Sequence, residues 1–446
     1  MATPPDPLVL DSQGKGGLKS ARLALLLAML AAFGMNAYFN LLVPRAHRQL
    51  ASEGLFGPHS IWSDLYPYWL GARYVVYRQG DPYSHGYTIT NQIASYGRPL
   101  HPNAERRTLD ERRFMYPAYV CLLLAPIAPI PFPWVMGGSI VVLTLLTAMS
   151  VFWWARAVGL QFSPGYRAVA VILAVSSYPF LDGLYVQQMA FVVAALLAGA
   201  AAAVTGGRYG LAGICLAVAT IKPHTAAPLV ALLMIWTLGD WRTRRRLALT
   251  FLATLAILWV AAEIAVPGWL FGWLSNLTAW RQYTPLPLAR TLFGEIPGRV
   301  VEIALLLAAA LMAWQTRREA ADSPRFVTTL LFVLAAAIIV FPNGLAAYDH
   351  VLLIPVALWL AHHARELLQA GGAVRWLLVL AGALLAWQWV TALVVALVAL
   401  ALPAGREVGL LLLSLPIRTV IAFPFVLTAL MAVLVRRGWM PPRQPS

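Results

Sequence analysis

Runs of about 20 apolar residues, nearly free of charge, recur along the whole chain. A helix needs about this length to cross the hydrocarbon core of a bilayer, where every backbone polar group must be satisfied within the segment. Only 11% of the 446 residues are charged and 60% are hydrophobic, whereas a soluble domain carries about 25% charged residues. The sequence therefore predicts an all-α polytopic membrane protein.

The length of the apolar runs predicts about twelve membrane-spanning helices. Residues 209–238 are too long for one span and are interrupted by Lys222-Pro223. Proline lacks the backbone donor and disfavours helix in the residue before it, so this run predicts two short helices that meet at the break. The other predicted spans are residues 23–43, 134–155, 168–184, 189–204, 247–266, 300–314, 326–341, 351–361, 376–401 and 410–435.

Short basic clusters orient the chain, because cytoplasmic loops are enriched in Lys and Arg. The net charge of +15 is carried largely by such clusters between apolar runs, which argues against nucleic acid as a partner. If residues 116–130 cross the membrane, the cluster at 242–246 lies outside. If they only dip into the outer interface, every short basic cluster lies inside, and we favour this topology.

The favoured topology divides the chain into three parts. Residues 1–20 form a cytoplasmic N-terminal tail, residues 21–435 form a single membrane domain, and residues 436–446 form a cytoplasmic C-terminal tail. Within the membrane domain, the loop 44–132 is extracytoplasmic and holds interfacial helices after the first span. Polar segments from distant parts of the chain then share the extracytoplasmic face, as an active site requires.

The break at Lys222 is one of these polar segments. An ionisable side chain at membrane depth is costly and marks a functional site. A cation in such a place suits a phosphate group, and the neighbouring His224 is a second candidate ligand. The alternative is that Lys222 only extends its ammonium group to the interface.

The segment after the first span supplies a candidate base. Asp64 stands at the start of a predicted interfacial helix, where it is either the N-cap or a general base that deprotonates an acceptor hydroxyl. Tyr68 and Arg73 on the same helix, and Asp81 in the turn that follows, are candidate substrate ligands. The alternative for Asp81 is a purely structural turn residue.

Two polar pairs complete the candidate site. Gln187-Gln188 opens an apolar span, and Gln188 either bonds sugar hydroxyls or caps the helix. Asp349-His350 opens another apolar span. Asp349 is a cap or a substrate ligand, and His350 pairs with a phosphate or orients a carboxylate.

The sequence contains no Walker, GxSxG or HExxH motif and no Cys/His cluster. We therefore expect no metal site and no cofactor.

A series of short motifs runs in order from Asp64 to His350. They are Asp64-x-Tyr66-x-Tyr68-Trp69, Gly80-Asp81-Pro82-Tyr83, Tyr116-Pro117-Ala118-Tyr119, Gln188 before a long apolar span, Ala219-Thr220-Ile221-Lys222-Pro223 and Tyr348-Asp349-His350. Together these motifs resemble glycosyltransferase family 87, which includes polyprenol-phosphate-mannose-dependent mannosyltransferases of the GT-C fold class. The chain departs from the family pattern at Gln187, where Gly is frequent, and at Ala118, where a second Pro is frequent.

The resemblance implies a GT-C-type transmembrane bundle and a specific chemistry. A sugar, mannose or another hexose, would pass with inversion from a polyprenyl-phosphate donor to a lipid or glycan hydroxyl at the extracytoplasmic face. Asp64 would be the base, and His350 would lie near the donor phosphate or the base. A lipid-phosphate leaving group requires no nucleotide-binding metal site.

Other classes of membrane protein predict different sequence features. A transporter places broken helices and buried charges near the bilayer midplane, often with an internal repeat, whereas this chain shows one break and no convincing repeat. A ligase or polymerase of lipid-linked glycans would concentrate its functional residues in a large late loop, and here the long outer loop comes first. A structural subunit leaves the shared polar face unexplained.

The Ala- and Arg-rich, Lys-poor composition indicates a high-GC bacterium, so the predicted location is the bacterial inner membrane.

Overall fold

The computed structural model describes residues 7–52, 63–101, 110–281, 286–341, 346–402 and 405–438. All regular secondary structure within these ranges is helical, and they contain no strand. Part of the predicted C-terminal tail, residues 439–446, lies outside the described residues.

The described residues in the first half of the chain form ten α-helices. Its helices are α1 (Pro7–Ala37), which continues through a π turn (Tyr38–Leu42) into α2 (Val43–Ser52), then α3 (Tyr66–Val76), α4 (His85–Tyr96), α5 (Tyr119–Leu123), a 3₁₀ turn (Ala125–Ile127), α6 (Phe132–Ala157), α7 (Pro164–Val175), α8 (Tyr178–Tyr185), α9 (Ala190–Thr205) and α10 (Tyr209–Ala219).

The second half continues the bundle. Its helices are α11 (Pro223–Gly239), α12 (Trp241–Ala265), α13 (Trp269–Trp280), α14 (Leu288–Phe293), α15 (Glu295–Thr316), α16 (Pro324–Val340), a 3₁₀ helix (Ala347–Leu353), α17 (Ile354–His362), α18 (Ala364–Gln369), α19 (Gly372–Ala401), α20 (Arg406–Val420) and α21 (Ala422–Arg436).

Five helices in the described part of the chain are long and apolar enough to cross a membrane, or six if the bent pair α7 and α8 counts as one span. They are Ser20–Gln49, α6, α12, α15 and α19. Between 11% and 28% of their most apolar windows is buried inside the protein, so most of their Leu, Ile and Trp side chains face outwards. Such surfaces are costly in water and suit lipid chains, which supports a multi-pass membrane protein.

Two predicted spans are interrupted, and the expectation of single continuous helices there is wrong. Residues 168–184 form α7 and α8, which are bent by 48°. Ser177 caps α8 by accepting a hydrogen bond from the Phe180 amide at 3.3 Å, and Pro179 has no donor to continue the helix before it. Residues 410–435 are divided between α20 and α21 by a break at Ile421.

The break predicted at Lys222 is confirmed, and residues 116–130 contain no long helix. The run 209–238 ends one helix at Ala219 and begins the next at Pro223, as the Lys222-Pro223 pair predicts. Residues 116–130 contain a helix of only five residues and a short 3₁₀ turn. Five residues rise about 7.5 Å, against about 30 Å of hydrocarbon, so this segment has no helix that could cross.

The centre of the bundle is built from helices that are apolar on every side. α9 and α16 bury nearly all of their side chains, as expected for a helix without a polar face. Small residues let neighbouring helices approach closely. A Cβ on Gly213 of α10 would lie 2.4 Å from the Leu247 carbonyl oxygen of α12, so these two helices are in backbone contact.

A layer of short helices covers one end of this bundle and consists of α3, α4, α5, α13 and α14. α13 is fixed to the segment before α5, because Trp273 Nε1 donates to the Met115 carbonyl and Asn276 Nδ2 donates to the Phe114 carbonyl, both at 3.0 Å. The Tyr119 hydroxyl in α5 lies 2.8 Å from Thr220 Oγ1. The layer is therefore attached directly beside the break that carries Lys222.

Candidate active site

A cavity of about 920 Å³ lies between the covering layer and the bundle. Its wall is formed by segments far apart in the sequence: the start of α3, residues 110–116, the turn before α9, the break before α11, α13 to α15, and the 3₁₀ helix at 347–353. Asp64, Gln188, Lys222 and His224, all predicted from the sequence, line this one cavity. The structure thus brings together four predicted residues.

A continuous set of hydrogen bonds joins the predicted base to the predicted cation. Gln188 Nε2 donates to Asp64 Oδ2 at 2.7 Å, and Lys222 Nζ lies 3.5 Å from Gln188 Oε1. Lys222 Nζ also donates to Asp349 Oδ1 at 2.9 Å. An ammonium group can only donate, so the amide oxygen of Gln188 faces Lys222 and its NH₂ faces the carboxylate. Lys222 therefore fixes the orientation of the Gln188 side-chain amide, and this amide holds the Asp64 carboxylate.

Asp64 faces the cavity and does not cap α3. The helix begins at Tyr66 and has no side-chain cap, whereas the Asp64 amide donates to the Val186 carbonyl at 2.7 Å. Its Oδ1 lies 3.9 Å from Arg112 Nη1. Burial raises the pKa of the Asp64 carboxyl, and the charges of Arg112 and Lys222 oppose this rise. The result is a carboxylate with one oxygen held by Gln188 and the other directed toward the basic wall.

The cavity wall is strongly basic. Two acidic side chains line it, Asp64 and Asp110, together with six cations: Arg112, Arg113, Lys222, Arg281, Arg290 and Arg299. The carboxylates that pair with four of these cations, Glu111, Asp349, Glu302 and Glu295, are absent from the lining. Cations held in place by carboxylates behind them form a preorganised site for an anion such as phosphate.

Tyr68 supports the wall from behind. It is fully buried, and its ring stacks on Tyr116 with centroids 3.6 Å apart and an interplanar angle of 23°. Tyr116 itself lines the cavity beside Asp64. Tyr68 thus contacts a lining residue without lining the cavity.

Two predicted ligands lie outside the cavity. Asp81 is exposed, and its Oδ1 accepts a hydrogen bond from the Tyr83 amide at 2.8 Å, which is the arrangement of a turn residue. Arg73 Nη1 donates to the Ala128 carbonyl at 3.0 Å, and the guanidinium lies 4.9 Å from the centroid of the Trp69 ring. Both residues fasten the covering layer together.

The neighbours Asp349 and His350 point to different places. Asp349 faces Lys222, as described, whereas His350 is buried and lines a second cavity of about 920 Å³ between α7, α8, α17 and α19. No residue lines both cavities. The structure therefore does not bring His350 to the cavity of Asp64.

Sequence reasoning missed most of the basic residues of the cavity wall. Arg112 is held by a sharp turn, with a φ of 55° and its amide 2.9 Å from Asp110 Oδ1. Arg290 and Arg299 come from α14 and α15, where Glu302 and Glu295 hold them. The available signal was the recurrence of Arg beside Asp or Glu in loops of the outer face.

No group of three or more His, Cys, Asp or Glu side chains in the described residues is arranged to hold a metal ion. The two cysteines of the chain, Cys121 and Cys215, are both free.

A model of glycosyltransferase family 87 matches residues 114–342, just over half of the 446 residues. The matched range includes Gln188, Lys222, His224 and the basic residues of α14 and α15, whereas Asp64 lies before it and Asp349 after it. No curated protein and no solved structure matches the chain.

Proposed function

The chain belongs to glycosyltransferase family 87, and we propose that it transfers a sugar from a polyprenyl-phosphate donor to a lipid or glycan hydroxyl with inversion. The observation that carries this proposal is that Asp64 lines the same cavity as six cationic side chains. A base and an anion site in one enclosed space are what a single displacement at an anomeric carbon needs.

The donor phosphate is assigned to the basic wall. In the transfer, the bond from the anomeric carbon to the phosphate oxygen breaks, and negative charge grows on that oxygen. Lys222 and three arginines of the wall are already ordered by Asp349 and by the glutamates behind them. Such preorganised cations stabilise the leaving group without further rearrangement.

The acceptor proton is assigned to Asp64. The acceptor oxygen attacks the anomeric carbon and gives its proton to the carboxylate as the new glycosidic bond forms. Gln188 occupies Oδ2, so Oδ1 is the oxygen that receives the proton. The Arg112 charge near Oδ1 opposes the rise in the Asp64 pKa that burial causes, which favours the ionised form that a general base requires.

The membrane arrangement of this enzyme is also a proposal. We assign about twelve membrane-crossing segments, counted from the apolar runs of the sequence. Five of the described helices are long enough to cross alone, and the shorter apolar helices α9, α10, α11 and α16 are assigned as further crossing segments. The covering layer and its cavity are then extracytoplasmic, with interfacial helices α3 and α4, and both termini are cytoplasmic in a bacterial inner membrane. Mannose or another hexose is the proposed sugar, and membrane lipids surround the bundle. No metal cofactor takes part in the reaction.

Sugar transfer in proteoliposomes tests the proposal. A panel of polyprenyl-phosphate hexoses is supplied with a membrane lipid extract as acceptor, and wild type is compared with Asp64→Asn. Loss of general base catalysis lowers the rate by about 10²- to 10⁴-fold, while donor binding is retained because the basic wall is unchanged. Asp81→Asn is the matched control, since Asp81 is an exposed turn residue.

Each contrary result refers to a different part of the proposal. Full activity of Asp64→Asn would remove Asp64 as the base and direct attention to Asp110, the other carboxylate of the cavity wall. Failure of wild type to bind any polyprenyl-phosphate hexose would contradict the donor class.

A further inference from the structure

An apolar groove of about 250 Å³ lies between α11, α15 and α16. Every residue that lines it is Ala, Leu, Ile, Val, Phe or Pro. Many are small, and they form what we call the alanine groove: Ala227, Ala231, Ala309, Ala313, Ala336 and Ala337. α15 is the least buried of the long apolar helices, with 11% of its window inside the protein, so the groove faces the lipid.

Two walls of the groove, α11 and α15, are in close contact at the end away from the charged cavity. Gly239, the last residue of α11, lies so close to the end of α15 that a Cβ there would be 1.9 Å from the Arg317 carbonyl oxygen. Trp236 Nε1 donates to the Glu319 carbonyl nearby, at 2.9 Å. At the opposite end, His224 of α11 and Arg299 of α15 line the charged cavity. The groove therefore lies along α11 and α15 between this contact and the charged cavity.

The groove begins where the charged cavity ends. Along α11, His224 lines the cavity and Ala227 lines the groove, a rise of about 4.5 Å. Along α15, Arg299 lines the cavity and Leu305 lines the groove, a rise of about 9 Å. From Ala227 to Ile235, the last groove residue of α11, the helix rises a further 12 Å or about two turns.

A proline lies where α11 passes from the cavity to the groove. Pro228 lines the groove inside α11 and has no amide to offer the His224 carbonyl four residues earlier. Loss of this bond, and the clash of the ring with that carbonyl, bend a helix. Pro228 thus leaves the His224 carbonyl without this helical hydrogen bond at the boundary between the cavity and the groove.

From this geometry we propose that the alanine groove holds the isoprenoid chain of the lipid-phosphate donor; the inference rests on the proposed function. With the phosphate against His224 and Arg299, the lipid chain has to continue into an apolar space. The groove continues from that position and carries no charge. Ala227 and Ala231, like Ala309 and Ala313, lie one helical turn apart and leave shallow pits. The methyl branches that an isoprenoid chain carries on every fourth carbon can occupy such pits, as a well-packed contact requires.

Filling the groove tests the inference. Ala231→Phe and Ala310→Phe place a ring in the groove from its two opposite walls, and both positions are exposed, so that neither change crowds the core. Ala304→Phe is the matched control, because Ala304 is exposed on α15 and does not line the groove. Two donors with the same sugar are compared, one on undecaprenyl phosphate and one on the short citronellyl phosphate.

The expected result is selective for the long chain. Both groove variants raise KM for the undecaprenyl donor about tenfold, a loss of about 1.4 kcal/mol of binding, and leave kcat and the citronellyl donor unchanged. Ala304→Phe behaves as wild type. An unchanged KM for the long donor in both folded variants would overturn the inference, and so would an equal loss with both donors.

A binding measurement separates this inference from the proposed reaction. A photoreactive isoprenyl phosphate labels α11, α15 or α16 in wild type, and undecaprenyl phosphate competes while phosphatidylglycerol does not. Such labelling supports the groove assignment even if no sugar is transferred, in which case the proposed reaction alone fails. Equal competition by phosphatidylglycerol would show a general lipid site and refute an isoprenoid one.

Discussion

Replacing Gln188 by Met removes the link between Asp64 and Lys222 while keeping an unbranched side chain of similar length. Gln188 Nε2 donates to Asp64 Oδ2 at 2.7 Å. This bond stabilises the ionised carboxylate more than the protonated form, so its loss raises the pKa of Asp64. Because a general base works only when deprotonated, the acidic limb of the pH–rate profile moves to higher pH.

The size of the shift follows from the strength of the lost bond. A hydrogen bond to a charged group contributes about 1.5–3 kcal/mol, and about 1.4 kcal/mol corresponds to one pKa unit. The side chain of Asp64 is 32% exposed, so water entering from the cavity replaces part of the lost bond. We therefore expect the limb to move up by about one pH unit. At pH values well above the limb, the rate of Gln188→Met differs less from that of wild type than it does on the limb, because the carboxylate is then fully ionised in both proteins.

The measurement is kcat/KM for sugar transfer as a function of pH in wild type, Gln188→Met and Gln187→Met. The last is a matched control, since Gln187 Nε2 bonds only the Leu184 and Tyr185 carbonyls within its own turn. A rate that falls equally at every pH, with an unmoved acidic limb, would refute the argument that Gln188 acts through Asp64. It would leave a role in substrate contact instead.

Three further predictions concern charge and packing. Lys222→Met leaves Asp349, whose side chain is 14% exposed, without its 2.9 Å partner; thermal unfolding in detergent should show a loss of about 3 kcal/mol, largely recovered by adding Asp349→Asn. Arg112→Gln removes a cation that lowers the pKa of Asp64, so the acidic limb of the pH–rate profile should again move up. Gly239→Ala forces a Cβ against a backbone carbonyl; unfolding should become easier by about 1–3 kcal/mol, and an unchanged melting temperature would show that α15 can move away.

Local chemical rules predicted the features that depend on a few adjacent residues. The pair Lys222-Pro223 in an apolar run was sufficient to predict the break between α10 and α11. The buried charge and the missing amide belong to adjacent residues and both act at this break. The uninterrupted apolar run at 376–401 likewise became α19 (Gly372–Ala401). In both cases nothing outside the segment was needed for the prediction.

Average hydropathy concealed the features that depend on single polar atoms. Residues 168–184 look like one span because the Ser and Pro side chains are diluted by the apolar residues around them. Ser177 nevertheless caps α8. Contacts between distant segments were hidden for another reason: Asp64 and Gln188 are 124 residues apart, and no periodicity of either segment specifies their pairing. The identity of the two residues was predictable, but the bond between them was not.

The Tyr348-Asp349-His350 motif shows why a motif cannot be carried over as one unit. In the sequence the three residues form a single polar segment before an apolar helix. In the structure they lie in a 3₁₀ helix, where successive side chains are turned by about 120° because there are three residues per turn. Tyr348 and Asp349 therefore meet Lys222, at 4.8 Å from the ring centroid and 2.9 Å from Oδ1, while His350 faces the second cavity. The geometry gives Asp349 the role of holding Lys222 in place, and it separates His350 from the cations of the cavity wall. Under the proposed function, the charge opposite a donor phosphate would therefore come from Lys222 and the arginines and not from His350.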